Sequence, residues 1–255
     1  MLIAQLTDTH ITVPENELGD CYVKLEALRY CVSAINKLDA APDVVIHSGD
    51  LVHNGSDEEY RLTKSIMDEL RVPYFITPGN RDSVTALTKN FGLNSYQNAG
   101  TTFFQYATNV LGYRLIASDT SKESNNLGFL DFERLAHLDN LLNEQPERST
   151  VIFMHHPPIN LSNSEPVKHE YQNYRMVKNF SEIIDRNPQV VAVLCGHIHR
   201  SFTGRINATP LVAMPPLSKS LNRDPASYSS TPNIAFYLHA FSTKARLNTK
   251  VIAVN

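Results

Sequence analysis

Short apolar runs, each followed by a knot of polar residues, alternate along the first half of the chain with stretches of helical spacing. Leu2–Leu6 has the length and character of a buried strand and ends in Thr7-Asp8-Thr9-His10. Leu25, Leu28, Val32, Ile35 and Leu38 then recur at three- and four-residue intervals, which predicts a helix closed before Pro42. Val44-Val45-Ile46 predicts a second strand, and Ser56 with Glu59 three residues on reads as a capping box opening a helix over about 57–70. Tyr74-Phe75-Ile76 predicts a third strand, ended by Pro78-Gly79. Strands of more alternating character are expected at 102–106 and 114–118, then a helix over 131–143. The β-rich apolar runs 151–154 and 190–194 suit central strands, with a loop at 161–169 and a helix at about 171–186 between them. Beyond Arg200 short strands are expected at 202–206, 211–214, 234–239 and 247–254, around a Ser/Pro/Asn-rich loop at 215–232. No internal repeat or linker divides this pattern, so residues 1–255 read as one α/β domain.

Composition narrows the function classes. The chain has 255 residues, with 23 Lys+Arg against 26 Asp+Glu and a formal charge of −3. It offers no general attraction to a nucleic-acid polymer or an anionic membrane. No apolar run approaches the roughly 18 residues of a spanning helix. Met1-Leu2-Ile3 leads into a polar, acid-bearing turn rather than a secretory signal. Cys21, Cys31 and Cys195 form no C-x-x-C pair, and with the missing signal this favours a reducing cytoplasm. The Asn-x-Ser/Thr triplets at Asn54, Asn160, Asn179 and Asn207 are accordingly read as chance.

The chemistry gathers at the strand ends. The first strand ends in Asp8-Thr9-His10, the second in Gly49-Asp50 and the third in Gly79-Asn80-Arg81-Asp82. The runs at 151–154 and 190–194 end in His155-His156-Pro157-Pro158 and Gly196-His197-Ile198-His199. Each piece alone is ordinary turn or capping chemistry. Strand ends of an α/β sheet converge on one crevice, however, and five in order each deliver a metal-competent residue. Two carboxylates, one amide oxygen and four imidazoles suit Mn, Fe, Zn or Co, rather than Ca alone or an iron–sulfur cluster. Seven ligands exceed one ordinary site, so a pair of ions is expected, with Asp50 offering one oxygen to each.

These blocks, D-x-H, G-D, G-N-x-D, H and G-H-x-H, span residues 8 to 199 and resemble those of the calcineurin-like metallophosphoesterases. The spacing and Met154-His155-His156-Pro157-Pro158 resemble the bacterial class III branch of cyclic-nucleotide and glycerophosphodiester phosphodiesterases. The resemblance implies a four-layer α-β-β-α sandwich of two mixed sheets flanked by helices, with two divalent or mixed-valence ions at the strand ends. It puts Asp8, His10, Asp50 and His199 on the first ion, and Asp50, Asn80, His156 and His197 on the second. The implied reaction is hydrolysis of a small phosphodiester by attack of a hydroxide held between the ions. It also implies a homodimer, with 200–232 as a lid or dimer contact and Asn222, Arg223, Tyr228 and Asn233 as candidates for base or sugar contacts.

One position departs from the pattern. The family has His where this chain has Arg81, and there that His contacts the phosphate, helps protonate the leaving oxygen and is oriented by the next acid, here Asp82. A guanidinium keeps its proton but offers a fork of donors to phosphate. Arg81 is read as a clamp; His155 is read as a strut behind the ligands or, alternatively, as the proton donor. His47 and His53 match no family ligand and are expected at the surface or behind the site, and His137, His169 and His239 are expected to be structural. Alternatives are a phosphomonoesterase or nucleotidase, and a metal-binding scaffold without catalysis. A nuclease is disfavoured by the charge, and no signature of another catalytic class is present.

Overall fold

The computed structural model describes residues 1–13, 20–92, 102–123, 125–159, 170–217, 234–242 and 246–254, with backbone alone at 20 and 21. His169, Asn222, Arg223, Tyr228 and Asn233 lie outside these residues, as do the expected loop at 161–169 and the stretch 218–232 of the expected lid.

The elements run β1 (Leu2–Leu6), α1 (Asp20–Asn36), β2 (Val44–His47), α2 (Asp57–Met67), β3 (Tyr74–Ile76) and α3 (Val84–Phe91). They continue with β4 (Tyr106–Val110), β5 (Tyr113–Ser118), α4 (Phe132–Asn143), β6 (Thr150–Met154), α5 (Tyr174–Arg186) and β7 (Val190–Cys195). The last four are β8 (Phe202–Ile206), β9 (Thr209–Ala213), β10 (Ile234–Phe241) and β11 (Leu247–Val254). Two mixed sheets result, ordered β11-β10-β1-β2-β3 and β4-β5-β6-β7-β9-β8. β1, β2 and β3 run parallel, as do β5, β6, β7 and β9. Antiparallel strands flank each parallel run.

β2 and β6 are buried along their whole length, as expected of parallel strands covered on both faces. One core joins Leu6 and Ile46 of the first sheet to Val151, Phe153 and Leu194 of the second, and takes in Leu28 and Val32 of α1, Tyr60 and Ile66 of α2 and Leu87 of α3. A second core packs Leu138 and Leu142 of α4 and Phe180 and Ile184 of α5 onto Ile116, Ile152 and Val193. The sheets are thus packed between helices, and the parallel strands of both deliver their carboxyl ends to one rim.

Local chemistry sets the boundaries. Ser56 and Glu59 form the anticipated reciprocal capping box of α2. Helix α3 has no counterpart in the apolar pattern; its Ser83 cap and the following Gly92 bracket only eight residues, too few for a clear apolar stripe. The expected strand at 102–106 begins only at Tyr106, because the Phe104 N–H donates to the Asp119 carboxylate (2.8 Å) instead of a neighbouring strand. Residues 202–213, expected within a lid or dimer contact, form the β8–β9 edge of the second sheet. Cys31 and Cys195 are buried free thiols. No helix among the described residues is long and apolar enough to cross a membrane.

A polar tie crosses the sandwich. Gln5 on β1 donates to Ser48 Oγ (2.8 Å) and to the Cys195 carbonyl of β7 (2.9 Å). Its remaining oxygen faces His239 Nε2 at 2.8 Å, and His239 Nδ1 faces Thr249 Oγ1 at 2.8 Å. Burial alone pulls the His239 pKa down to about 3, so the ring is neutral in the fold. The unfolded chain binds a proton near pH 6.5 that the native ring refuses, so this group's contribution is complete above that pH and is lost as pH falls toward 3. Wild type should therefore lose about 1.5–2 kcal/mol more stability between pH 6.5 and 5 than His239→Gln does, measured by urea unfolding at each pH. Equal slopes for the two proteins would refute this.

Candidate metal centre

The two aspartates are built alike. Asp8 Oδ2 accepts from Thr7 Oγ1 (2.8 Å) and the His197 N–H (2.9 Å), which leaves Oδ1 buried without a hydrogen-bond partner and 3.2 Å from His199 Nε2. Asp50 Oδ1 accepts from the Arg81 N–H (2.7 Å), and its Oδ2 lies 3.6 Å from His10 Nε2 and 3.4 Å from His155 Nε2. Oδ2 faces imidazoles of both groups, while the Arg81 N–H occupies one lone pair of Oδ1.

The imidazoles complete two clusters. His10 Nε2 lies 3.1 Å from His199 Nε2 and 3.7 Å from Asp8 Oδ1. On the other side, Asn80 Oδ1 lies 3.1 Å from His155 Nε2 and 3.0 Å from His197 Nδ1. The far nitrogens fix the tautomers: His155 Nδ1 donates to the Ser48 carbonyl (2.9 Å), and His197 Nε2 faces Glu170 Oε2 (2.9 Å). Lone pairs, not protons, then point inward from these rings when neutral.

The two adjacent histidines differ sharply. His155 is fully buried between the aspartates and Asn80. His156 is also buried, but its Nδ1 meets Thr120 Oγ1 (2.8 Å) and its Nε2 meets the Asn126 carbonyl (3.2 Å). The Thr120 hydroxyl accepts from the His156 N–H (3.2 Å), so its own proton is free for Nδ1 and both ring nitrogens are satisfied by protein. His156 still packs its ring against His197, with centroids 4.2 Å apart.

The clustered residues adopt a strained backbone. Asp8, His10, Asp50, His197 and His199 all have positive φ, between 44° and 71°. For residues with a Cβ this costs roughly 1–3 kcal/mol each, and such strain gathers at functional sites. Two glycines make the tight packing feasible. A Cβ on Gly79 would lie 2.3 Å from Asp50 Oδ1, and one on Gly196 would lie 2.4 Å from Asp8 Oδ2 and 2.0 Å from Thr7 Oγ1.

Electrostatics show what the cluster lacks. Burial raises both aspartates' pKa values, but the neighbouring histidines, His155 foremost, outweigh it; Asp8 ends well below the usual range and Asp50 at about 2. Burial lowers His155, yet the Asp50 and Asp8 charges more than offset this and hold it at about 9. The cavity thus demands positive charge, and a buried orphan carboxylate oxygen with converging imidazole and amide donors is what a divalent ion requires. Triads of one-atom ligands suited to an ion are Asp8/His10/His199, Asp8/Asp50/His155 and His155/His156/His197. The residues present fit the ions the sequence implies.

The remaining expected residues fall around this centre. Asp82 turns inward, accepting from the N–H groups of Gly79 (2.8 Å), Leu51 (3.2 Å) and Val52 (3.4 Å) and from Tyr60 Oη (3.0 Å). Burial and the nearby Asp50 charge push its pKa up to about 7. Arg81 is exposed and forms no ion pair among the described residues. It lines, with Asn80, a cavity of about 780 Å³ that extends to Lys122, Phe129 and Arg134. His47 is buried against Thr9 Oγ1 (3.1 Å), not at the surface, and half-buried His53 sets its ring edge-on to His10, centroids 5.8 Å apart. His137, on α4, meets the Gln105 side chain (3.0 Å), apart from the centre. Glu170, Thr120 and Asn126 join the centre without any signal in the sequence: they reach it from loops that carry no repeated or metal-ligand spacing.

The calcineurin-like phosphoesterase family profile matches residues 1–201, and the chain belongs to that family of hydrolases. A probable glycerophosphodiester phosphodiesterase of Arcobacter nitrofigilis is 32% identical over 206 residues, covering 80% of this chain and 73% of that protein. A 3′,5′-cyclic-nucleotide phosphodiesterase of Nostoc is 29% identical over 202 residues, covering 78% and 72%. Among solved structures, a dimetal phosphatase from Danio rerio superposes with a TM-score of 0.70, covering 100% of this chain and 99% of that one; at 14% identity the likeness concerns the fold.

Gly196→Ala should destabilise the fold by about 2–3 kcal/mol, since the methyl meets Thr7 and Asp8 side chains that are fully buried. Urea unfolding measures this, and a loss under about 0.5 kcal/mol would mean the rim yields more readily than its packing implies.

Proposed function

We propose that the chain hydrolyses small phosphodiesters, with cyclic nucleotides and glycerophosphodiesters as the substrate classes, using two ions from the Mn, Fe, Zn and Co group. The observation that carries this reading is the pair of donor quartets meeting at Asp50 Oδ2. One is Asp8 Oδ1, His10 Nε2, His199 Nε2 and Asp50 Oδ2; the other is Asp50 Oδ2, Asn80 Oδ1, His155 Nε2 and His197 Nδ1. His155 thus replaces His156 as ligand, and His156 takes the role of strut, because its nitrogens are already engaged. Relatives named as phosphodiesterases of both substrate classes support the diester preference.

When bound, the ions supply Lewis acidity toward a phosphoryl oxygen and lower the pKa of a water to about 7. The chain's residues supply position and charge balance. Asp8 and Asp50 hold their free oxygens fixed through their pinned ones, and Glu170 and the Ser48 carbonyl orient His197 and His155. Arg81, next to Asn80 and exposed toward the cavity, receives the phosphate with its fork of donors and keeps its proton. Asp82 supports the Asn80 loop and lies too deep to steer the Arg81 side chain. Cytoplasmic residence and a homodimer complete the proposal; buried free Cys31 and Cys195 suit the former.

Metal content and turnover test this together. Mn-reconstituted wild type should bind two ions and cleave bis(4-nitrophenyl) phosphate and 3′,5′-cyclic AMP faster than 4-nitrophenyl phosphate. His155→Ala should retain one ion, and His156→Gln should retain two with affinity weakened about tenfold. Arg81→His should gain most on cyclic AMP, whose leaving group needs a proton more than nitrophenolate does. Two bound ions with every diester inert would refute the proposal.

A further inference from the structure

Resting on the phosphodiesterase reading, we propose that the cavity beside Asn80 receives one ester group of the substrate and favours a group bearing its own negative charge, a carboxylate or a phosphate. The cavity, about 780 Å³, is of ligand size and begins at the ligand-bearing loop itself, at Asn80 and Arg81. A group esterified to a phosphate held at Asn80 enters it directly.

The charges around its wall decide the preference. Three cations line it: Arg81, Lys122 and Arg134. Arg134 is matched, since its Nη1 lies 3.1 Å from Asp131 Oδ2 and its Nη2 donates to the Ser121 carbonyl (3.3 Å). Arg81 and Lys122 are exposed and form no ion pair among the described residues. The Lys122 ammonium instead stands over the Phe129 ring, 4.1 Å from its centroid. The acids are accounted for as well. Asp82 is turned into its loop by four hydrogen bonds, and Asp131 caps α4 through the Arg134 N–H (3.0 Å) besides pairing with its guanidinium. Glu123, exposed beside Lys122, is the one lining acid without such a partner among the described residues. Asp82 holds both oxygens, and with them its charge, within its loop, so the exposed charges of the wall are two cations, Arg81 and Lys122, against one acid, Glu123.

The wall also disfavours a flat aromatic group. Phe129 is its one aromatic side chain among the described residues, and cations lie over the ring from Lys122 at 4.1 Å and Arg134 at 5.3 Å. The space is otherwise bordered by small polar side chains such as Ser83, Thr85 and Thr102. A polar, charged alcohol fits this lining better than a stacked base.

The test compares three 4-nitrophenyl phosphodiesters whose second alcohol ends in a hydroxyl, a carboxylate or a phosphate: those of ethylene glycol, glycolate and ethylene glycol monophosphate. On the Mn-loaded protein KM should fall about fivefold or more from the first to the charged two, and high salt should erase much of the difference. In Lys122→Gln the ratio of KM values should approach one; the conservative Lys122→Arg should restore it. Calorimetry of the same three diesters on the metal-free protein reads the preference without turnover, and the tighter of the two charged arms identifies the anion. Equal KM and equal affinity for all three, or a preference that survives in Lys122→Gln, overturns the proposal. Charge-dependent binding lost in Lys122→Gln, with no hydrolysis of any diester, would uphold the cavity assignment and remove the phosphodiesterase reading.

Discussion

Two buried carboxylates facing one another across a ring of imidazoles are the constraint on which the rest of this structure depends. Asp8 and Asp50 are almost wholly removed from water, and both lie within 4.0 Å of the same His155 nitrogen. Taking such charges out of solvent costs several kcal/mol each unless matching charge is brought in. The protein can supply it only in part, by protonating His155, whose pKa the two aspartates raise against its burial. The unmet demand is directional: on each carboxylate one oxygen is fixed by a backbone N–H and the other is left facing the histidines. A divalent ion is the natural complement, and its binding to the native state alone would add to stability in proportion to the logarithm of its concentration.

Holding that arrangement explains the rim of the sandwich. The donors come from the ends of β1, β2 and β3 in one sheet and of β6 and β7 in the other, so the centre is also a seam between sheets. Backbone bonds tie the strand ends within each sheet, Asp8 N–H to the Gly49 carbonyl and Gly196 N–H to the His155 carbonyl, and the seam itself is crossed by the His197 N–H on Asp8 Oδ2 (2.9 Å) and by His155 Nδ1 on the Ser48 carbonyl (2.9 Å). Strands leaving a sheet would diverge with its twist; the left-handed residues at Asp8, His10, Asp50, His197 and His199 turn the chain back so that neighbouring side chains reach inward. That strain persists because the core beneath is closed: Leu6, Ile46, Phe153 and Leu194 beneath the rim are fully buried.

Much of this was legible in the sequence, for a physical reason. Buried parallel strands require continuous apolar runs, and metal chemistry requires a narrow set of side chains, so Leu2–Leu6 followed by Asp8-Thr9-His10 carries both signals within ten residues. The features that sequence does not disclose depend on contacts between distant segments. Nothing local distinguishes His155 from His156; the difference arises because Thr120 and Asn126, some thirty residues upstream, occupy the nitrogens of the second ring. The 102–106 stretch reads as a strand by composition and is diverted by Asp119, a tertiary contact overriding propensity. By residue type alone Asp50 can spread its two oxygens over two ions; the Arg81 N–H, thirty-one residues away, occupies one lone pair of Oδ1.

That last contact also explains why position 81 tolerates a departure. Its backbone N–H serves the Asp50 carboxylate, a service every residue but proline can render, while the loop is locked by Asp82 through three backbone N–H groups and Tyr60. Neither task involves the Arg81 side chain, which points its charge toward solvent and the adjoining cavity. The groups that hold the centre are thereby separated from the one that lines the adjoining cavity. A histidine there would add a proton to give; the guanidinium adds a permanent charge and a fixed fork. Because only the backbone N–H of position 81 reaches Asp50, either side chain leaves the carboxylates and imidazoles in place, and the exchange changes the charge and the proton presented to the adjoining cavity.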